Sequence, residues 1–174
     1  MERILIIGCP GAGKTTFALQ LAEKLQLPLI HLDNLYWKQD WKHWERELFD
    51  KALQDCLEAP QWIMDGNFNR TIPQRLKYCD TVFFLDFPTI TCLAGITRRT
   101  LQNLGRARPD MAEGCIEAFD RNKLILYRSV LTFRRQHRKA YLQLLAQADG
   151  VDVRIFRSRR QLRAFLANCP QQPQ

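Results

Sequence analysis

Arg3-Ile4-Leu5-Ile6-Ile7-Gly8-Cys9-Pro10-Gly11-Ala12-Gly13-Lys14-Thr15-Thr16 is the stretch that decides the fold. Its opening, Arg3 to Ile7, is an almost wholly apolar run, the pattern of a strand buried on both faces. Gly8 to Thr15 matches G-x-x-x-x-G-K-[ST] in full. From Lys14 to Leu25, Phe17, Ala18, Leu21, Ala22 and Leu25 share one helical stripe. Strand, glycine-rich loop and helix in that order are the context that gives the motif its meaning. The glycines let the backbone wrap with its N–H groups turned inward. The helix start adds the positive end of its dipole. Gly8, Cys9, Pro10, Gly11, Ala12, Gly13, Lys14, Thr15 and Thr16 are therefore expected to form a P-loop that cradles a nucleoside triphosphate, ATP with Mg²⁺. Lys14 is expected to reach the β- and γ-phosphates and the Thr15 hydroxyl to ligate Mg²⁺. Thr16 contacts the α-phosphate or caps the turn.

Working outward, four more short apolar runs read as strands: Leu29–Leu32, Trp62–Asp65, Thr81–Asp86 and Asp152–Phe156. A helix is expected from Trp41 to Leu57, with Trp41, Trp44, Leu48, Ala52 and Leu53 as its buried stripe. Strands alternating with helices imply right-handed βαβ units and a three-layer α/β domain around a five-stranded parallel sheet. More than sixty residues, Pro88 to Gly150, separate the last two strands. A plain crossover needs only about a dozen, so a helical insertion is expected there. The reading is one domain over 1–169, with the inserted region at about 98–139 and a disordered tail at 170–174.

Net charge is +8, and it is uneven. Between Arg98 and Lys139 eleven Lys/Arg face four Asp/Glu. Such a surplus suits an anionic ligand, either phosphates or nucleic acid. No apolar run approaches the roughly 18–20 residues of a membrane span, and the N-terminus has no signal-peptide pattern. Cytoplasmic residence is the default. The six cysteines show no C-x-x-C pair and no metal-ligand spacing, which suits free thiols. Cys9, among loop amides and close to Lys14, sits where a thiol pKa can be lowered.

Ligands of parallel sheets collect at the carboxyl ends of strands. Three aspartates end apolar runs: Asp33, Asp65 and Asp86. Phosphoryl transfer needs a carboxylate to hold Mg²⁺ through water and another group to orient the attacking hydroxyl. Asp65, followed by Gly66, takes the metal role. Asp33 takes the acceptor side, as a base or hydroxyl-positioning group. Asp86 caps the turn before Pro88. His31 reads as a packed, hydrogen-bonded residue. Tyr36 and Trp37, in a turn, are candidates to stack a flat acceptor, with Asn67 and Arg70 adding polar contacts.

These residues resemble the adenylate-kinase-like branch of P-loop kinases. Ile63-Met64-Asp65-Gly66 looks like the apolar-apolar-Asp-Gly run of that branch, and Leu85-Asp86-Phe87-Pro88 like its Asp-x-Pro turn. A narrower resemblance is to the proteins called DNA topology modulation proteins. It is carried by Ile30-His31-Leu32-Asp33, Tyr36-Trp37, Asp65-Gly66-Asn67-Phe68, Phe84-Leu85-Asp86-Phe87-Pro88 and Arg108-Pro109-Asp110-Met111-Ala112-Glu113-Gly114. The resemblance implies a sheet order of 2-3-1-4-5 and a lid between the fourth and fifth strands whose arginines close over phosphates. Arg98, Arg99, Arg106 and Arg108 stand where that lid opens, with Arg134, Arg135 and Arg138 beyond. Arg99, Arg106 and Arg108 are the candidate clamps on the transferring group. Arg157 falls where such kinases wrap the adenine. Monophosphate kinases carry Asp-Gly-Phe-Pro-Arg, whereas this chain has Asp65-Gly66-Asn67-Phe68-Asn69-Arg70: the Pro is missing and the Arg falls one residue later.

The leading functional expectation is an Mg·ATP-dependent kinase for a small hydroxyl- or phosphate-bearing acceptor. A nucleic-acid-associated regulator that uses ATP as a switch is the alternative, although no nucleic-acid-binding motif appears. A slow ATPase without a dedicated acceptor is the third.

Overall fold

The computed structural model describes residues 1–38, 42–106, 116 and 119–170. Trp41, Arg108, Cys115, the rest of the Arg108–Gly114 block and residues 171–174 lie outside the described residues.

Five parallel strands form one sheet: β1 (Arg3–Gly8), β2 (Leu29–His31), β3 (Trp62–Asp65), β4 (Thr81–Leu85) and β5 (Asp152–Phe156). Their spatial order is β2-β3-β1-β4-β5, the three-layer P-loop arrangement. The central β1 pairs with β3 through Ile6 and Asp65, and with β4 through Gly8 and Leu85. This register brings the ends of β1, β3 and β4 to one rim, where the glycine-rich loop opens.

Helix α1 (Lys14–Leu25) follows the loop with the expected stripe, Phe17, Ala18, Leu21 and Leu25 being buried. Phe17 sets its ring edge-on to Phe83 of β4 at 5.3 Å between centroids, within a cluster that includes Phe156 and Phe165. Aromatic pairs in that geometry add about 0.5–1.5 kcal/mol beyond their buried area.

Two strand ends differ from the reading. Leu32 leaves β2 and begins the short helix α2 (Leu32–Tyr36), so Asp33 lies in a helical first turn rather than at a strand end. β4 stops at Leu85, one residue before Asp86. An edge position explains a third difference: β5 pairs only with β4, and of its residues only Phe156 is buried.

The next helix, α3 (Arg46–Glu58), starts later than expected and turns inward a face that shares only Leu53 with the expected stripe. Its buried residues are Phe49, Leu53 and Leu57, spaced i, i+4, i+8. Leu48 is 49% exposed. Trp44 precedes the helix, is 40% exposed, and carries the Lys38 ammonium 3.7 Å over its ring.

After β3 come a 3₁₀ turn (Asn69–Thr71) and α4 (Ile72–Leu76). The long connection between β4 and β5 is helical as expected: α5 (Thr89–Asn103), α6 (Arg121–Gln136) and α7 (Arg138–Ala146). The final helix, α8 (Arg159–Asn168), packs beside α1. No helix among the described residues is long and apolar enough to cross a membrane.

Candidate active site

The loop begins where β1 is hemmed in on both sides. The Gly8 N–H donates to the Asn67 Oδ1 at 3.1 Å, tying the loop's first residue to the segment after β3. The Ala12 N–H closes onto the Cys9 carbonyl at 3.1 Å. Gly13 then turns into α1 with φ 94°, a left-handed conformation that a side chain disfavours. No side chain caps α1 and no acidic residue sits in its first turn. Its leading N–H groups are thus placed for an anion.

Lys14 folds back over the loop, its Nζ donating to the Gly8 carbonyl at 3.1 Å and the Cys9 carbonyl at 3.4 Å. Burial lowers the pKa of this half-buried ammonium, while Asp65 and Asp33 oppose the shift. The two carboxylates therefore act on the same cation from the β3 and β2 ends of the rim.

A cleft of about 1230 Å³ opens over the loop. Pro10 to Thr16 form its floor, and Asp33, Trp37, Asp65, Gly66, Asn67 and Phe68 one wall. Gly8 and Cys9, expected in the cradle, are absent from this lining. Gly8 is engaged with Asn67, and Cys9 is buried. The thiol expectation for Cys9 also fails. Its pKa is pushed up, first by hydrogen bonding with the Cys92 thiol and then by burial, and these outweigh Lys14.

Of the insertion arginines, Arg98 and Arg99 on α5 line the cleft. Arg106 is exposed and outside the lining. Arg134 and Arg135 are exposed in the last turn of α6. Arg138 is turned to Asp86, which accepts from its Nε at 2.8 and 2.9 Å and from its Nη2 at 2.8 Å. The Asp86 carboxylate is thus an ion-pair partner rather than the expected cap, and α5 starts without a side-chain cap. Arg157 is exposed and outside the cleft, its N–H donating to Gln161 Oε1 at 2.7 Å. Two and six residues further on, Arg159 and Arg163 of α8 line the cleft instead.

On the β3 side, His31 stands in register with Asp65, and its Nδ1 lies 3.2 Å from the Asp65 Oδ2. The packed role expected for His31 is therefore joined to a contact with the candidate metal carboxylate. Tyr36 is not a cleft residue. It is the hub of an aromatic cluster, with ring centroids 4.9 Å from Trp37, 5.0 Å from Phe68 and 5.5 Å from Phe49. Trp37 and Phe68 present to the cleft. Arg70 is bound to Asp50 by hydrogen bonds of 3.0 and 2.5 Å, away from the lining.

The residue that sequence reasoning missed is Arg75. Its guanidinium is fully buried and donates to three successive carbonyls: Gly66 at 2.8 Å, Asn67, and Phe68 at 3.3 Å. These belong to the segment that presents Asn67 to Gly8. Burial draws its pKa down to about 10, which leaves it cationic at neutral pH. A signal existed: Ile72, Arg75 and Leu76 fall at i, i+3, i+4, which puts the arginine on the apolar face.

Gly95 was missed too. A Cβ there would lie 2.0 Å from the Gly11 carbonyl oxygen, and a Cβ on Gly11 would lie 2.2 Å from the Cys92 carbonyl oxygen. Helix α5 and the loop touch backbone to backbone. Glycine to alanine inside a helix ordinarily stabilises by about 1 kcal/mol. Here Gly95→Ala is expected to do the reverse, lowering the melting temperature and weakening nucleotide binding as the loop is displaced. Thermal denaturation and an ATP titration of the variant check both; an unchanged or raised Tm contradicts the contact.

With this geometry in view, the chain can be set beside known proteins. No family model matches it. It is 30% identical over 88 residues to an adenylate kinase of Thermotoga neapolitana, covering 49% of this chain and 39% of that one. It is 31% identical over 107 residues to an adenylate kinase of Anaeromyxobacter sp. (strain K), covering 60% and 49%. The chain thus spans about half the length, or less, of these curated relatives. Among solved structures, a shikimate kinase from Bacteroides thetaiotaomicron aligns over 95% of this chain and 94% of its own, with a TM-score of 0.57 and 20% identity. A shikimate kinase from Acinetobacter baumannii in complex with shikimate gives 0.51 at 16% identity, over 95% and 91%. These structural likenesses show the P-loop kinase fold. The sequence matches show an adenylate-kinase-like stretch. The narrower resemblance to DNA topology modulation proteins has no support from these matches.

Proposed function

We propose that this protein is an Mg·ATP-dependent phosphotransferase acting on a small acceptor. The observation that carries the reading is a P-loop lysine that shares one cleft with two carboxylates. Lys14 lies on the P-loop, Asp33 and Asp65 act on it, and Arg98 and Arg99 face the same cleft from α5. A bare anion-binding loop needs no carboxylates beside it. A phosphoryl-transfer site needs them for a divalent cation and for the attacking hydroxyl.

In this reading the N–H groups at the start of α1 and Lys14 hold the donor phosphates. Arg98 and Arg99 stabilise charge on the transferring group. Asp33 orients the acceptor hydroxyl. Among the described residues no three His, Cys, Asp or Glu side chains converge on a metal position. Mg²⁺ in such sites leans on substrate phosphates and only one or two protein groups. Thr15 and Asp65 would hold it, and the ion would neutralise charge on the β- and γ-oxygens. The sequence likeness to adenylate kinases supports the same class of chemistry.

The nucleic-acid alternative is less well supported. Within the basic insertion, Arg98, Arg99 and Lys123 line the cleft and Arg138 binds Asp86, so part of the surplus charge faces inward. Calorimetric titration with ATP and Mg²⁺ is expected to give one binding event per chain. Absence of heat with every purine triphosphate overturns the proposal.

A further inference from the structure

The β1–β3 ladder loses its regularity at the mouth of the cleft. Gly66 still donates its N–H to the Ile6 carbonyl at 3.3 Å. The next rung of a parallel ladder would run from the Gly8 N–H to the Gly66 carbonyl. That carbonyl accepts from Arg75 Nη1 at 2.8 Å instead. The Gly8 N–H turns to the side chain of Asn67, whose Oδ1 lies 3.1 Å away. In a carboxamide only the oxygen accepts, so this bond fixes which way round the group stands. What the side chain has left to offer is Nδ2, a donor. The residue is also held by its main chain, since its carbonyl accepts from Arg75 Nη2.

Asn67 lines the cleft together with Pro10 and Asp65. Lys14 meets the same Gly8 from its other end, donating from Nζ to the Gly8 carbonyl at 3.1 Å. Gly8 alone therefore stands between the Asn67 amide and the ammonium that faces the β- and γ-phosphates in the phosphotransfer reading. Donors fixed in advance near developing charge are the usual means of stabilising a transition state. In phosphoryl transfer that charge lies on the oxygens of the moving group. We infer that Asn67 is a catalytic residue, its Nδ2 donating to an oxygen of the γ-phosphoryl group while its Oδ1 holds the loop. The inference rests on the phosphotransfer reading and deepens it. The amide keeps both its protons throughout and contributes charge stabilisation.

The test needs no acceptor. Calorimetry with Mg·ATP and with Mg·ADP measures how strongly each full-length chain prefers the triphosphate. Partial unfolding of a variant weakens both nucleotides alike and cancels from that ratio. Asn67→Ala is expected to lower the preference for ATP about tenfold or more, the size of a hydrogen bond to a charged group. Asn67→Asp keeps an oxygen for the Gly8 N–H but replaces the donor by an acceptor. It is expected to melt nearer to wild type than Asn67→Ala does, and to lose the preference at least as far. A wild-type ratio in either variant, whatever its Tm, overturns the inference, because the amide then serves the loop alone. Should Asn67→Ala not fold, Asn67→Asp decides by the same ratio. A wild-type chain that binds neither nucleotide overturns the phosphotransfer reading and this inference with it, an outcome distinct from ATP bound with an unaltered ratio.

Discussion

Arg75→Met is expected to destabilise the fold by about 3–5 kcal/mol, the loss typical of removing one partner from a buried charged contact. The guanidinium has no exposed surface, and its partners are backbone carbonyls of three consecutive residues. Replacing a whole buried ion pair by apolar side chains is often neutral or favourable, because both charges leave together. That escape is closed here. The carbonyls belong to the main chain and stay behind, and each buried acceptor left without a donor costs about 1–3 kcal/mol. Methionine fills much of the same volume, so the loss reports the polar contacts more than a cavity. The same segment holds Phe68 at φ 34°, a left-handed conformation that costs a non-glycine residue about 1–2 kcal/mol. Arg75 fastens this segment through the Gly66, Asn67 and Phe68 carbonyls. Urea denaturation is expected to show a lower midpoint at an unchanged slope. A change under about 0.5 kcal/mol, the range of ordinary surface substitutions, contradicts this account. Arg75→Lys keeps a cation but not the fork, and is expected to fall between the two.

The residues that the sequence made legible were those whose chemistry is local. Gly8 to Lys14 carries its meaning in consecutive backbone geometry, and α1 runs over Lys14–Leu25 as its stripe indicates. The ends of β3 and β4 were readable within one residue, because each apolar run stops at an aspartate. What was not legible depends on partners distant in the chain. Arg70 looked available for an acceptor until Asp50, twenty residues earlier, was found against it. Arg138 looked like a lid arginine, but Asp86 reaches it across 52 residues. Arg157 and Arg159 differ by two positions, yet only the second faces the cleft, which is set by how α8 packs on α1. The α3 stripe was misplaced because Trp44 and Leu48 are apolar by composition. The helix turns Phe49 inward to meet Tyr36 and Phe68. Charge and hydropathy along a chain state what a side chain can do; the folded neighbours determine what it is left to do.

Lys14→Ala is expected to weaken Mg·ATP binding by roughly 10- to 100-fold, since a hydrogen bond to a charged group contributes about 1.5–3 kcal/mol. Turnover should fall further, because charge stabilisation in a transition state is worth about 10²–10³ per donor. A structural lysine would show neither effect. The sharper test uses pH. Burial lowers the Lys14 pKa below that of an ordinary lysine, with Asp65 and Asp33 only partly restoring it. Triphosphate binds the protonated ammonium, and bound anion raises the pKa again. Affinity is therefore fully present below the lowered pKa of the free protein and is lost as pH climbs through it. The decline should begin at a lower pH than an unperturbed lysine would give. Arginine stays charged throughout the accessible range, so Lys14→Arg, where it binds ATP, is expected to hold its affinity flat across the same titration. Calorimetry across the pH range in which the protein stays folded distinguishes them. A wild-type profile as flat as that of Lys14→Arg would mean that the ammonium does not carry the binding, and the P-loop lysine would lose its place at the centre of the site.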